Sequence, residues 1–144
     1  MKSKSQRYAD VVFPNVQSVA ALQQKGGEGD DQAKKYKSLC KKAGSLIRIS
    51  GLMQAVAFFV AKGQRPAEAH HQKFLRHLQA ELAELGQVPA HAPDEQWLAL
   101  QIRQFDLPRY MVVTREILQL CNWHKRLADT LIAGTSDDHD DEEG

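Results

Sequence analysis

The sequence predicts an all-α fold, a single-domain bundle of about six helices, on three observations. Apolar residues recur at spacings of three and four along most of the chain. No stretch sustains the alternation of a strand, and no Asn-Gly or Asp-Gly hairpin turn occurs. The 144 residues, 42% hydrophobic and 26% charged, suit one soluble domain that needs no metal or disulfide to hold its core.

The first helix is expected from about Ser5 to Gln24, with Tyr8, Val12, Val19 and Leu22 along one side. Pro14 falls inside it and predicts a kink or a restart. Gly26-Gly27-Glu28-Gly29 reads as a loop, with Asp30 or Asp31 capping a second helix from about Gln32 to Ser50. Tyr36, Leu39, Cys40, Ala43, Leu46 and Ile47 form the apolar face of that helix. Gly51 breaks the chain before a very apolar third helix, Leu52 to Ala61, which Lys62-Gly63 ends. Pro66 suits the start of a fourth helix to about Leu85, whose stripe includes Ala67, His71, Phe74, Leu78 and Leu82. Pro89 and Pro93 bracket a linker, and Asp94 is placed to cap a short fifth helix with Trp97, Leu98, Ile102 and Phe105. Asp106 should cap the last helix, where Tyr110, Val113, Ile117, Leu120, His124, Leu127 and Leu131 form an unbroken seam. The expected division is a bundle over 5–133 and an acidic tail over 134–144, too poor in apolar residues to fold.

Charge is unevenly spread beneath a net value of +1. Residues 1–65 carry 12 Lys or Arg against 4 acids, whereas Thr135 to Gly144 carry 6 acids and no Lys or Arg. A basic half suggests a polyanionic partner. No apolar run approaches the roughly 20 residues of a membrane span, and no signal core follows Met1-Lys2-Ser3-Lys4-Ser5. Two cysteines cannot build a disulfide framework, so the expected location is cytoplasmic.

Catalytic signals are sparse. His70, His71 and His77 share a helix but lack the i, i+4 spacing of a helical metal site, and no HExxH or Cys-x-x-Cys accompanies them. His71 and His124 read as packed residues, the other histidines as solvated. Cys40 and Cys121 lie on apolar faces and read as buried thiols. No pair of acids sits in an apolar stretch in a way that suggests acid–base work. The expectation is therefore no enzyme, no metal, no cofactor and no small-molecule substrate.

The second helix carries more information. Lys34, Lys37, Lys41, Ser45 and Arg48 are spaced to line one side, with Lys35 and Lys42 flanking them. Such a rail can follow a phosphate backbone, and each phosphate it neutralises adds affinity through counterion release. No acid occurs between Asp31 and Glu68, so the i, i+4 ion pairs of an ordinary solvated helix are expected to be missing.

The run Tyr36-Lys37-Ser38-Leu39-Cys40-Lys41-Lys42-Ala43, followed by Leu46-Ile47-Arg48-Ile49-Ser50-Gly51-Leu52-Met53-Gln54-Ala55-Val56-Ala57-Phe58, resembles the central signature of a known family. That family is the small helical subunit of the type III-B CRISPR RNA-targeting (Cmr) complex. A second block, Tyr110 with Thr114-Arg115-Glu116-Ile117-Leu118 and Trp123-His124-Lys125-Arg126-Leu127-Ala128, is similar to the same family. The resemblance covers most of residues 5–133 and excludes the acidic tail. It implies a non-catalytic subunit of antiviral defence that stacks in several copies as a central filament. Its implied partners are CRISPR RNA, target RNA and the other Cmr subunits. The RNA contacts it implies are Lys41, Lys42 and Arg48 in the first block and Arg115, Lys125 and Arg126 in the second. Arg115 and Arg126 could equally be structural partners of Glu116 or Asp129.

Two other classes compete. A helical DNA-binding regulator would need a polar recognition helix, but the turn Ile49-Ser50-Gly51 leads into the apolar run Leu52 to Val60. A helix-bundle metal protein or enzyme would need inward carboxylates with Glu-x-x-His pairs, and Glu68 and His71 are the residues to check.

Overall fold

Ser3 opens the first helix with a reciprocal cap. Its hydroxyl accepts from the Gln6 amide, and the Gln6 side chain accepts from the Ser3 amide. Such a cap is worth about 1 kcal/mol. The structure, a computed structural model, describes residues 1–89 and 93–134. Helix α1 spans Lys4–Gln23, α2 Glu28–Ser50, α3 Leu52–Gly63, α4 His70–Glu84 and α5 Leu107–Leu131. A sixth helical segment is irregular, a π turn at Trp97–Gln101 running into a 3-10 turn at Ile102–Gln104. The described residues contain no strand, as the apolar spacing predicts.

Helix α1 runs through Pro14 without the expected restart. Pro14 is exposed, while Tyr8, Val12, Val16 and Val19 bury the opposite side, and that burial outweighs the missing backbone bond. Helix α2 begins at Glu28, a turn earlier than expected. Gly27, not Asp30 or Asp31, stands at its N-cap and offers no side-chain bond. Glu28, Asp30 and Asp31 instead fill the first turn, where acids favour the positive helix end. Gly29 packs so closely on α1 that a Cβ there would sit 2.4 Å from the Leu22 carbonyl oxygen.

Gly51 ends α2 at φ 87°, a conformation costly for other residues, and α3 starts at the next residue. Pro66 opens only a 3-10 turn, Pro66–Glu68, and leaves Ala67 exposed; α4 proper begins at His70. Asp94 does not cap the following segment. Its carboxylate is buried 3.5 Å from the Arg76 guanidinium, and Gln96 occupies the cap position. Asp106 caps α5 as expected, accepting from the Arg109 amide. The acidic tail from Thr135 onward, together with His91 and His139, lies outside the described residues.

Helix α5 packs most extensively on α1 and α2, and α3 packs on α4. The seam of α5 is buried at Val113, Ile117, Leu120 and His124 and half-buried at Tyr110, Leu127 and Leu131. Polar ties fix both ends of α5. The Tyr110 hydroxyl accepts from the Met53 amide at the start of α3, and Arg109 donates to the side chain and carbonyl of Gln87 beyond α4. Beyond the C-terminus of α5, Gln23 bridges the Ala133 carbonyl and amide at 2.7 and 2.8 Å.

A polar chain crosses the core. Asn15 donates to Glu81, both Glu81 oxygens lie 2.8 Å from His124 Nε2, and His124 Nδ1 meets the Tyr36 hydroxyl at 3.2 Å. The Tyr36 hydroxyl also meets His77 Nδ1 at 2.6 Å. His124 is packed as the sequence suggests. His70 and His77 are not solvated as expected: His70 is buried and His77 half-buried. Helix α4 turns both inward because its packed face is wider than a single stripe, reaching Gln79 and Glu81 as well.

Candidate nucleic-acid interface

Helices α2 and α5 run antiparallel, and three contacts set their register. Lys37 lies against Ile132, Gly44 against Cys121, and Gly51 against Tyr110. That register brings Lys125, one turn beyond Cys121, opposite Lys41. Arg48 extends along the same side, with its guanidinium near Gly44. Arg48 and Lys125 are exposed, and Lys41 is half-buried. The register thus puts the three at neighbouring positions on one side of the α2–α5 pair.

The rest of the expected rail is divided. Lys37 is not on the surface. Its ammonium is buried and donates to the Ile132 and Gly134 carbonyls at 2.8 Å each, with Asp129 at 3.9 Å. It satisfies carbonyls just past the end of α5, which a phosphate-binding residue could not do at the same time. Lys34 pairs with Asp30 at 3.2 Å and Lys35 with Asp31 at 3.3 Å. The i, i+4 pairs expected to be missing are therefore present, because α2 starts early enough to include both acids. Arg115 is exposed and near enough to Tyr8 of α1 for its charge to act there, which puts it on the α1 side of α5. Arg126, about three turns further along, shares that side, so neither joins the α2 group. Glu116 accepts from the Tyr8 hydroxyl, and Asp129 faces Lys37.

Lys42 belongs to a second basic feature that residue spacing alone does not reveal. A cavity of about 270 Å³ opens between α2, α3 and the start of α4, with Lys35, Ser38, Lys42, Lys62, His70 and His71 in its wall. Its sequence signal is the acid-free run from Asp31 to Glu68, which supplies two of its walls. Glu68 stands 3.5 Å from His70 and 3.4 Å from His71, and the three offer ligand atoms within 4.8 Å of one another. They could hold a cation, but Lys35, Lys42 and Lys62 share the wall and oppose one. The apparent helix-turn-helix is also excluded as a DNA reader. Leu52, Ala55, Val56 and Phe59 of α3 are buried in the core, so that face cannot enter a groove.

Neither cysteine is poised as a nucleophile. Both are buried, and burial pushes both thiols up, away from the reactive thiolate. Among the described residues, no helix is long and apolar enough to cross a membrane.

Fold and site define a small all-helical bundle with basic residues exposed on α2 and α5 and others around the recess between α2, α3 and α4. The family of CRISPR-associated proteins described as Cas_Cmr5 matches residues 4–131, and the chain belongs to that family. It is 33% identical over 132 residues to the CRISPR system Cmr subunit Cmr5 of Thermus thermophilus, covering 92% of this chain and 98% of that protein. The crystal structure of a Cmr5 family protein from the same organism superposes with a TM-score of 0.70 at 28% identity, covering 92% of this chain and all of that one. The resemblance read from the two sequence blocks is thus correct: this is a small subunit of the type III-B CRISPR system.

Proposed function

We propose that the chain is a non-catalytic subunit of the cytoplasmic Cmr effector complex, lying along the duplex of CRISPR RNA and target RNA and stacking with further copies of itself. What supports this reading is the register of α2 against α5, which puts Lys41, Arg48 and Lys125 at neighbouring positions along one side of the pair. Cations on two helices can follow a phosphate backbone without reading bases, and a subunit that must accept any guide requires that indifference. Contacts with neighbouring subunits are supported by Ile49, Met53, Leu107 and Met111, exposed apolar side chains around the Met53–Tyr110 contact. A non-catalytic role agrees with the chemistry inside. The Glu81–His124 pair is sealed in the core, where no substrate reaches it.

A salt titration of binding to one RNA duplex tests the reading, comparing the full chain with a Lys41, Arg48, Lys125→Ala variant. The variant should bind at least about tenfold more weakly at low salt. Its slope of log affinity against log salt should be shallower by roughly one for each phosphate contact removed. Equal affinity and slope for the two proteins would assign this side of the pair to a protein neighbour instead.

A further inference from the structure

The basic cavity between α2, α3 and α4 is not used by the α2–α5 flank proposed for RNA. It differs from that flank in kind. It is a recess rather than a flank, and Lys35, Lys42 and Lys62 line it with Ser38, His70, His71 and one acid, Glu68, which faces the two imidazoles. Ser38, His70 and His71 are buried, and the three lysines are half-buried. Such a wall suits carboxylates, which accept hydrogen bonds from ammonium, hydroxyl and imidazole groups alike.

The chain carries its own supply. Asp137, Asp138, Asp140, Asp141, Glu142 and Glu143 follow within ten residues of Gly134. Their point of departure is fixed, because the Gly134 carbonyl accepts from Lys37 in the middle of α2. From Lys37 to Lys42 is about 8 Å along the helix axis and about 140° around it. An extended chain covers about 3.3 Å per residue, so about five or six residues past Gly134 can span the path to the mouth of the recess. The acids from Asp140 onward are then within reach of Lys42 and Lys62.

We infer that the acidic segment after Gly134 docks in this basic cavity as an intramolecular occupant, placing carboxylates against Lys42 and Lys62 at its mouth. The docked segment carries negative charge next to the flank proposed for RNA and competes with phosphate for it. This second consequence rests on the RNA-binding reading; the docking itself does not. A flexibly tethered segment acts at an effective concentration in the millimolar range, so even a weak contact is well populated.

The test uses the full chain labelled with ¹⁵N and carrying a nitroxide on an Asp140→Cys variant. Cys40 and Cys121 are buried and should not take the label. Docking predicts paramagnetic broadening concentrated at the amides of Lys42, Lys62 and His71. Broadening should fall when salt is raised to about 1 M, where the screening length is about 3 Å. It should also fall in a Lys42→Gln, Lys62→Gln variant. Broadening spread evenly over the surface, or none, would overturn the proposal. So would broadening at the cavity that neither salt nor the lysine variant weakens. In parallel, a chain ending at Gly134, whose formal charge rises from +1 to about +7, should bind RNA about twofold to tenfold more tightly at low salt. If neither chain binds RNA, the RNA reading fails while the broadening still decides the docking. If RNA perturbs the cavity amides equally in both chains and no local broadening is seen, the cavity belongs to RNA and the segment does not dock.

Discussion

The carboxylate of Glu81 and the imidazole of His124 meet at 2.8 Å with neither side chain open to solvent. The Nε2–H of His124 can donate to the carboxylate, which gives both buried groups a partner. Burial raises the Glu81 pKa, and the neighbouring His124 works against that rise. The bond joins α4 to α5, Asn15 adds α1, and Tyr36 adds α2.

Removing one partner should be far worse than removing both. Glu81→Ala leaves His124 without its acceptor in the core and should cost about 3–5 kcal/mol in denaturant unfolding. A Glu81→Leu, His124→Leu double variant should recover most of that loss, since apolar side chains of similar size often replace a buried pair at little cost. A loss below about 1 kcal/mol for the single variant would show that the pair does not organise the core.

His77 sets a pH dependence. Its pKa falls from the usual 6.5 to about 3, chiefly through burial and then through His124 and Lys73 beside it. The unfolded chain therefore binds a proton that the folded chain refuses between those values. Stability from this group is present above about pH 6.5 and is lost as pH falls towards 3. Urea titrations should show the wild type losing about 2–3 kcal/mol more than His77→Phe between neutral pH and about pH 4. Parallel curves for the two proteins would contradict the assignment.

Asp94 has the opposite sign. Burial pushes its pKa from 3.8 to about 6, against the pull of Arg76. The folded chain holds that proton more tightly, so the ionised carboxylate destabilises the fold above about pH 6 and ceases to do so below 4. Asp94→Asn should stabilise the protein at neutral pH by about 1–3 kcal/mol and have little effect near pH 4. Destabilisation at neutral pH would mean that the Arg76 contact outweighs desolvation.

Leu120 is fully buried at the centre of the α5 seam. Leu120→Ala should cost about 2–5 kcal/mol, measured by the same unfolding method. A change within about 0.5 kcal/mol would place α5 in a different register.

Helix existence is legible because burial follows a period, and α5 shows this best. Asp106, Val113, Ile117 and Leu120 all take the places their spacing assigns. Boundaries are less legible. Glycine propensity argues against a helix at Glu28-Gly29, but the close approach of Gly29 to Leu22 is a tertiary contact with no local signature. The 97–104 segment keeps its apolar anchors, Trp97 and Ile102, yet its irregular turns leave no periodic trace. The basic face reads as continuous because spacing shows which residues share a side, not what lies across from it. Lys37 meets the chain beyond α5 there, and nothing in α2 announces it. The cavity draws residues from three elements, and only their shared lack of acids hints at it.

The grip of Lys37 on Ile132 and Gly134 has a practical side. It holds the exit of the chain beside the basic flank of α2, while Ser3 opens α1 at the far end of a helix about 30 Å long. A tag or fluorophore fused after Gly144 would be delivered onto the surface that RNA is proposed to use. One fused before Met1 would stand clear of it, and reporter fusions for assembly should carry their cargo there.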